Sequence, residues 1–308
     1  MYLTYGLISI LTIVPLFLSG CSSNGQDSAT QTAPTIVTPA PNEEPEKDLP
    51  MPISSNKFQN KHLVFFGDSI TEFGNYPSDT GKLLEAHVTN LGIGGTTVAR
   101  HSDRAYDGLS GYKIADALYT NDFTSLEIAV NTVISSTQTE NYNGDDNSTQ
   151  ILTLKTLNWD NVDYIVLSYG TNDFNVGTLI GTEFDTILDK YNFSASYTYL
   201  IHTLKLKAPK AEIIAVSPIW RKKTPMDREG IEGGSDVSTN RSGLYLISYV
   251  DTLQKVSYAN NIKFLDLYRT SGISEDTDHI YLADPVHPNG AGYNLMANKL
   301  VDFMKENY

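Results

Sequence analysis

The chain has 308 residues, a net charge of −14 and a sequence pI near 4.7, and 40% of its residues are hydrophobic. That hydrophobic content is enough for a sizeable buried core. The acidic balance argues against nucleic acid and against an anionic membrane surface as the main partner, because long-range repulsion opposes both. No run of Lys or Arg counteracts this repulsion, and the sequence indicates no protein partner.

The N-terminus carries an apolar stretch, LISILTIVPLFLSGC, over residues 7–21. It is too short for a comfortable transmembrane helix and ends in small residues, as export signals do. Its last four residues, LSGC, resemble the lipobox of bacterial lipoproteins, which implies that residues 1–20 are a signal peptide and that Cys21 is lipidated. Residues 1–4 lack the usual Lys or Arg, and an uncleaved membrane anchor is the alternative. Either interpretation places the rest of the chain outside the cytoplasm, and the first anchors it to a bacterial cell membrane by lipid.

Residues 21–58 are dominated by Ser, Thr, Pro, Glu and Asp after the cysteine. Burial of the few apolar residues in this segment cannot offset the conformational entropy that folding would cost. We therefore predict a disordered tether. Cys21 is the only cysteine, which excludes a disulfide within the chain. Residues 59–308 are then expected to form one domain.

Within that domain, short apolar runs alternate with helical patterns. Strands are predicted at residues 62–66, around Val88, and at 162–170, 211–218 and 262–267. Helices are predicted from GKLLEAH, from one long stretch at 112–133, from 197–209, from SGLYLISYVDTLQKVSYAN and from AGYNLMANKLVDFMKE. Apolar strands separated by helices indicate a parallel sheet covered on both faces. Right-handed crossovers then bring the carboxyl ends of all the strands to one edge, where open α/β sheets bind ligands.

Polar motifs follow these strands at that edge. They are GDSIT with Ser69, NLGIGGTT with Gly95, GTND with Asn172 and, before the last helix, DPVHP with Asp284 and His287. A hydroxyl nucleophile needs a base, the base needs an acid to orient it, and a tetrahedral oxyanion needs preorganised donors. The four motifs together supply the groups that a serine esterase requires.

The four motifs, in this order, resemble the conserved blocks of the GDSL/SGNH hydrolase superfamily over residues 65–290. The resemblance implies a flavodoxin-like three-layer α/β/α sandwich with a five-stranded parallel sheet. It also implies that Ser69 is the nucleophile, His287 the base and Asp284 the residue that orients the base.

The same resemblance implies an oxyanion hole made of the N–H of Ser69, the N–H of Gly95 and the side-chain amide of Asn172. Two adjacent glycines compete for the second position. The spacing from Asn90 and Thr97 favours Gly95, and Gly94 is the alternative.

Each motif also has a structural interpretation. Ser69 could be a helix N-cap, GTND could be a turn at a strand end, and Asp284 could cap the last helix. No set of His, Cys, Asp and Glu has convincing metal spacing, and NYNGDDNS at residues 141–148 resembles a calcium loop in composition only. We therefore expect neither a metal nor a cofactor.

Two loops are expected to set specificity, residues 96–112 and 219–240. His101, Trp220 and Arg221 are the candidate substrate contacts, although packing of Trp220 beneath its loop is the alternative. The sequence thus predicts a serine esterase that cleaves small acyl esters through an acyl-enzyme, most plausibly O-acetyl groups on carbohydrate. A lysophospholipase or acyl-thioesterase of the same fold is the first alternative, and a non-catalytic surface-binding lipoprotein is the second.

Overall fold

The computed structural model describes residues 56–101, 104–136, 146–182, 186–222 and 233–308. The described residues belong to one compact unit by their contacts, Ser54–Tyr308. The predicted signal peptide, Cys21 and nearly all of the predicted tether lie outside the described ranges. Phe58 lies inside these ranges and is buried, and the centroid of its ring is 5.7 Å from that of Tyr164. The folded unit therefore includes residues just before position 59.

Five parallel strands form one sheet in the order β2-β1-β3-β4-β5. The strands are β1 His62–Gly67, β2 His87–Asn90, β3 Tyr164–Ser168, β4 Glu212–Val216 and β5 Lys263–Leu265. The chain turns from β1 to one neighbour and then crosses to β3 on its other side. The carboxyl ends of β1 and β3 therefore flank a topological switch point, where a crevice for ligand opens.

Helices connect the strands in the described part of the chain. They are α1 Ser69–Glu72, α2 Tyr76–Leu84, α3 Arg104–Asp107, α4 Gly111–Thr120, α5 Thr124–Ser136, α6 Ser148–Thr156, α7 Thr171–Val176, α8 Phe193–Lys207, α9 Leu246–Ala259, α10 Leu267–Thr270, α11 Asp278–Tyr281 and α12 Gly290–Asn307. None of the helices in these ranges is long and apolar enough to cross a membrane.

The sheet separates two hydrophobic clusters, as expected for a three-layer sandwich. One cluster includes Val64, Phe66 and Ile165 with residues of α4, α5 and α8, and the other includes Phe65 and Val166 with residues of α12. Alternate residues of β1 thus point to opposite faces, and both faces are buried. The predicted α/β/α fold with five parallel strands is confirmed.

The predicted single helix at residues 112–133 is wrong in one respect. The structure divides it into α4 and α5, because Asn121 adopts a left-handed conformation with φ of 57° and ends α4. Asparagine tolerates this conformation better than most residues. Apolar residues continue on both sides of the break at Asn121, so the spacing of apolar residues alone does not show that the helix ends there.

Candidate active site

The turn that follows β1 presents Ser69. Asp68 is the N-cap of α1, and its Oδ1 accepts a hydrogen bond from the N–H of Ile70 at 3.0 Å. Ser69 is therefore the first residue of the helix and not its cap, which leaves its hydroxyl free of a capping role. Gly67 has no room for a side chain here, since an added Cβ would lie 2.1 Å from Thr71 Oγ1.

The turn before α12 brings together the predicted base, His287, and the predicted orienting acid, Asp284. Asp284 Oδ1 accepts the N–H groups of Val286 and His287 at 2.7 and 2.8 Å, and Asp284 Oδ2 lies 2.8 Å from His287 Nδ1. The opposite ring nitrogen, Nε2, lies 2.9 Å from Ser69 Oγ. The fold thus brings together a hydroxyl, an imidazole and a carboxylate in the order required for nucleophilic catalysis.

The same hydrogen bonds keep Asp284 ionised. Partial burial alone would raise its pKa, but the N–H groups of His287 and Val286 and the neighbouring imidazole together hold the pKa below its ordinary value. A charged carboxylate at this position favours the Nδ1–H form of His287 and would stabilise the imidazolium that forms when His287 accepts a proton.

Asn172 lies at the other side of the switch point, at the start of α7 directly after β3. Its Nδ2 donates to the carbonyl of Thr96 at 3.0 Å, which fixes the amide plane and leaves a second N–H on the same nitrogen. The first N–H of α1 also lacks an intrahelical acceptor because of its position in the helix. Donors from Ser69 and Asn172 therefore flank the crevice.

The structure distinguishes the two adjacent glycines. The N–H of Gly94 donates to Glu72 Oε2 at 2.5 Å, so it is already used. Gly95 has a φ of 73°, a conformation that favours glycine, and an added Cβ would lie 2.4 Å from the ring of Tyr106. This geometry favours Gly95 as the second backbone donor and places Tyr106 directly against it.

Asp173 connects the two halves of this donor set, whereas its motif in the sequence suggested only a turn. Its side chain is fully buried, and its two oxygens accept the N–H groups of Val98 and Ala99 at 3.0 and 3.2 Å. Burial raises its pKa to about 7 in spite of these hydrogen bonds. Asp173 thereby ties the loop that carries Gly95 to the helix that carries Asn172. No sequence signal distinguishes a buried carboxylate of this kind from an ordinary turn residue.

The predicted substrate contacts are not brought together in the crevice. Trp220 is 3% exposed, and its indole N–H donates to Asp236 Oδ1 at 2.7 Å, so its placement favours the packed alternative. Arg221 is 1% exposed and donates to the carbonyl of Thr171, the first residue of α7, at 3.3 Å. Arg221 thus supports the helix that carries Asn172 from within the protein, and its burial does not favour contact with substrate.

His101 remains beside the site. Its ring lies 5.3 Å from the ring of Tyr106, which itself packs on Gly95. Both side chains are partly exposed. His101 therefore keeps its place as a candidate substrate contact, and Tyr106 joins it.

The loop after β4 supports the turn that holds His287. The N–H of Lys222 donates to the carbonyl of Pro285 at 2.7 Å, and the Lys222 amino group forms an ion pair with Asp278. Lys223 lies outside the described residues, as does most of the sequence NYNGDDNS. Within the described ranges, no group of three or more His, Cys, Asp or Glu side chains could hold a metal ion.

The model of the GDSL-like lipase/acylhydrolase family matches residues 65–295, which is more than half of the chain. Among solved structures, a Lactobacillus plantarum protein is 20% identical with a TM-score of 0.55, covering 81% of this chain and 99% of that one. Another structure is 23% identical with a TM-score of 0.57, covering 81% and 98%. A GDSL-like lipase from Bacteroides thetaiotaomicron is 17% identical with a TM-score of 0.47, covering 80% and 89%. No curated protein matches the chain in sequence. At these identities the first two structures show a shared fold.

Proposed function

Because the chain belongs to the GDSL-like lipase/acylhydrolase family and is a serine ester hydrolase, we propose that it removes small acyl groups, chiefly O-acetyl groups on carbohydrate, with Ser69 as its nucleophile. The observation that carries the proposal is the hydrogen-bond chain from Ser69 Oγ through His287 to Asp284, with distances of 2.9 and 2.8 Å. A non-catalytic binding protein has no need of this arrangement.

The geometry indicates how the reaction would proceed. His287 Nε2 accepts the proton of Ser69 as Oγ attacks the ester carbonyl, and Asp284 stabilises the resulting imidazolium. The negative oxygen of the tetrahedral intermediate is stabilised by the N–H groups of Ser69 and Gly95 and by the amide of Asn172. His287 then donates the proton to the leaving alcohol, which leaves an acyl group on Ser69. Water activated by His287 releases the acid and restores the serine.

The preference for short acyl groups is supported by the residues that build the site. The loop after β2 that carries Gly95, here called the oxyanion loop, brings this glycine to the crevice, with the partly exposed side chains of Tyr106 and His101 beside it. Small and polar groups can hydrogen-bond to sugar hydroxyls but provide little apolar area for a long chain, at about 0.8 kcal/mol per buried methylene. A lysophospholipase or acyl-thioesterase, by contrast, would need an apolar surface of this kind to bind its long acyl chain.

The test is a series of p-nitrophenyl esters from acetate to octanoate, followed by acetate release from acetylated glycans. We expect kcat/KM not to increase beyond acetate, and Ser69→Ala to abolish turnover while the thermal unfolding transition is retained. A steady increase of kcat/KM with chain length would favour the lysophospholipase or thioesterase alternative. Activity that survives Ser69→Ala in a clean preparation would exclude Ser69 as the nucleophile.

We also propose that the protein is lipid-anchored outside the cytoplasm through Cys21. The support is the LSGC sequence at residues 18–21 and the polar segment that follows it. Cys21→Ser is expected to move the protein from the membrane fraction to the soluble fraction with kcat/KM unchanged, because the tether separates the lipid from the catalytic domain. Retention of the variant in membranes would favour an uncleaved anchor.

A further inference from the structure

A cavity of about 310 Å³ lies at the end of the oxyanion loop and has no part in the mechanism above. We call it the cationic cavity, and its lining includes Arg100, Asp107, Tyr112, Lys113, Lys190 and Tyr191. Three of these side chains are cationic and one is anionic, and Asp116 pairs with Lys190 from outside the lining, so one cation remains in excess on a chain whose net charge is −14. This local reversal of charge indicates a site for a negatively charged ligand.

The charges in the cavity are only partly compensated. Arg100 Nε lies 3.8 Å from Asp107 Oδ2, and Lys190 Nζ lies 2.8 Å from Asp116 Oδ2. Lys113 lies over the ring of Tyr112, with its Nζ 5.4 Å from the ring centroid, and has no carboxylate within 4.0 Å among the described residues. Its ammonium group is therefore the one most available to an anion.

The cavity also offers an aromatic surface. Tyr191 is 65% exposed, and the guanidinium of Arg100 lies 4.9 Å from its ring centroid and donates to its hydroxyl. The guanidinium of Arg100 covers part of the Tyr191 ring, and the remainder of the side chain is exposed to solvent. The buried Tyr112 donates its hydroxyl proton to Asp107, at 3.0 and 3.1 Å from the two carboxylate oxygens. An ordered ring with an apolar face beside cations suits a ligand that is itself amphipathic, with a ring and an anionic group.

Short connections join the cavity to the active site. Arg100 follows Gly95 by five residues, so their Cα atoms are at most about 18 Å apart. His101 donates its N–H to Asp107 at 3.0 Å, its ring contacts Tyr106, and Tyr106 packs on Gly95. A continuous wall thus runs from the oxyanion hole to the cationic cavity. The opposite wall is held by the hydrogen bond from Arg100 N to Lys190 O, at 2.8 Å.

We propose that the cationic cavity is a subsite for a sugar residue that carries a carboxylate or sulfate group, on the same polymer whose neighbouring residue is deacylated at Ser69. In this arrangement Lys113 contacts the anionic group, and Tyr191 packs against the sugar ring. The inference rests on the proposed carbohydrate esterase function. It also provides the local attraction without which an acidic protein would repel an anionic polymer.

The experiment measures binding by calorimetry with ligands that carry no acyl group, so that it requires no turnover. The probes are trigalacturonic acid, a sulfated trisaccharide and a neutral galactose trisaccharide. We expect one of the two anionic probes to bind more tightly than the neutral one, with an affinity that falls as salt is raised. Equal affinity for the neutral trisaccharide, or no binding of any probe, would overturn the proposal.

Two variants test the assigned residues. Lys113→Gln removes the charge and keeps a polar, somewhat shorter side chain, and Tyr191→Ala removes the ring. Each is expected to weaken binding of the anionic probe roughly fivefold, as for one partly exposed contact. Lys255→Gln removes one exposed cation outside the cavity and is expected to leave the affinity unchanged.

An equal loss of affinity in Lys255→Gln would show a general effect of charge and would also overturn the assignment. Failure of the proposed function is recognised separately, because it would abolish ester hydrolysis without affecting these binding measurements.

Discussion

At the scale of single residues, the catalytic contact depends on very few atoms. Ser69 and His287 are 218 positions apart in the chain, yet one hydrogen bond of 2.9 Å joins them. The proposed oxyanion donors outside α1 lie on the loop with Gly95 and at the start of α7, and each is fixed by a neighbouring residue. The amide of Asn172 is held by Thr96, and the loop with Gly95 is held by Asp173.

Asn172→Ala removes a donor that the transition state uses more than the ground state. We expect kcat to fall by roughly 10²–10³ with little change in KM, as for other single oxyanion donors. Steady-state kinetics with p-nitrophenyl acetate measures both constants. A change confined to KM would show that Asn172 binds substrate instead.

Asp173→Asn tests a positioning residue. The amide replaces one of the two accepting oxygens by an NH2 group, so the separate hydrogen bonds from Val98 to Oδ2 and from Ala99 to Oδ1 cannot both be kept in place. We expect kcat to fall by up to roughly 10²-fold with KM retained, because the oxyanion loop shifts relative to Asn172.

The double variant Asp173→Asn/Asn172→Ala separates this role from a general structural one. If both residues act on one oxyanion hole, the double variant loses less activity than the product of the two single losses. Losses that multiply would show that Asp173 acts independently of the oxyanion hole.

At the scale of elements, helix termini place the reactive groups. The short α1 begins at Ser69 because Asp68 caps it, and α12 begins just after His287 because Asn289 caps it. Asn289 Oδ1 accepts the N–H groups of Ala291 and Gly292 at 2.9 and 3.1 Å. Its Nδ2 donates to the carbonyl of Ile280 at 2.8 Å, which ties the start of the helix to α11.

Asn289→Ala is expected to lower the free energy of unfolding by about 1 kcal/mol, the usual effect of losing an N-cap. It is also expected to lower kcat, since the turn that carries His287 loses its attachment to α12. Urea unfolding and steady-state kinetics measure the two effects.

Asn192→Ala is the matched control, because Asn192 caps α8 through the N–H of Ala195 at 2.9 Å and holds no catalytic turn. It is expected to lose stability and keep its kcat. An equal loss of kcat in both variants would contradict the specific role of Asn289.

At the scale of the whole molecule, two buried carboxyl groups beneath the site make stability depend on pH. Burial raises the pKa of Asp68 to about 7, although the N–H of Ile70 opposes this, and the nearby charge of Asp173 raises it further. At pH values between 3.8, the ordinary pKa of the group, and about 7, the folded protein binds a proton at Asp68 that the unfolded chain has lost. The contribution of this group to stability is therefore fully present below the lower value and is lost as pH rises through the upper one.

Asp68→Asn keeps an N-cap side chain and removes the titration. We expect the stability of the wild type relative to this variant to fall as pH is raised from about 4 to about 8. Thermal unfolding at a series of pH values measures the difference. Asp302→Asn, at an exposed position on α12, is the control and should show no such trend. A relative stability that rose with pH would contradict the raised pKa of Asp68.

The local pattern of the amino-acid sequence is enough to predict the fold class and the order of the candidate catalytic motifs. Apolar runs such as VFF at residues 64–66 and YIVL at 164–167 indicate buried strands, because the hydrophobic pattern of an element is local. Parallel strands then bring their carboxyl ends to one edge wherever they lie in the chain. For this reason the strand pattern places the motifs around Ser69 and Asn172 at one edge, whereas His287 is assigned to the same site by the family resemblance.

Which of the predicted groups are available to substrate depends on long-range packing and is visible in the structure alone. Trp220 and Arg221 are residue types that often bind ligands in loops, but both are buried here. Trp220 is held by Asp236 and Arg221 by α7, and the local sequence pattern shows neither contact. The spacing of the motif already favours Gly95 over Gly94, and the structure adds the hydrogen bond that the N–H of Gly94 donates to Glu72. The cationic cavity depends on Lys190 and Tyr191 meeting Arg100 across the chain. Each of these features is a contact between segments distant in sequence. Such contacts follow from packing of the whole molecule, because burial and charge pairing depend on neighbours that no single segment contains.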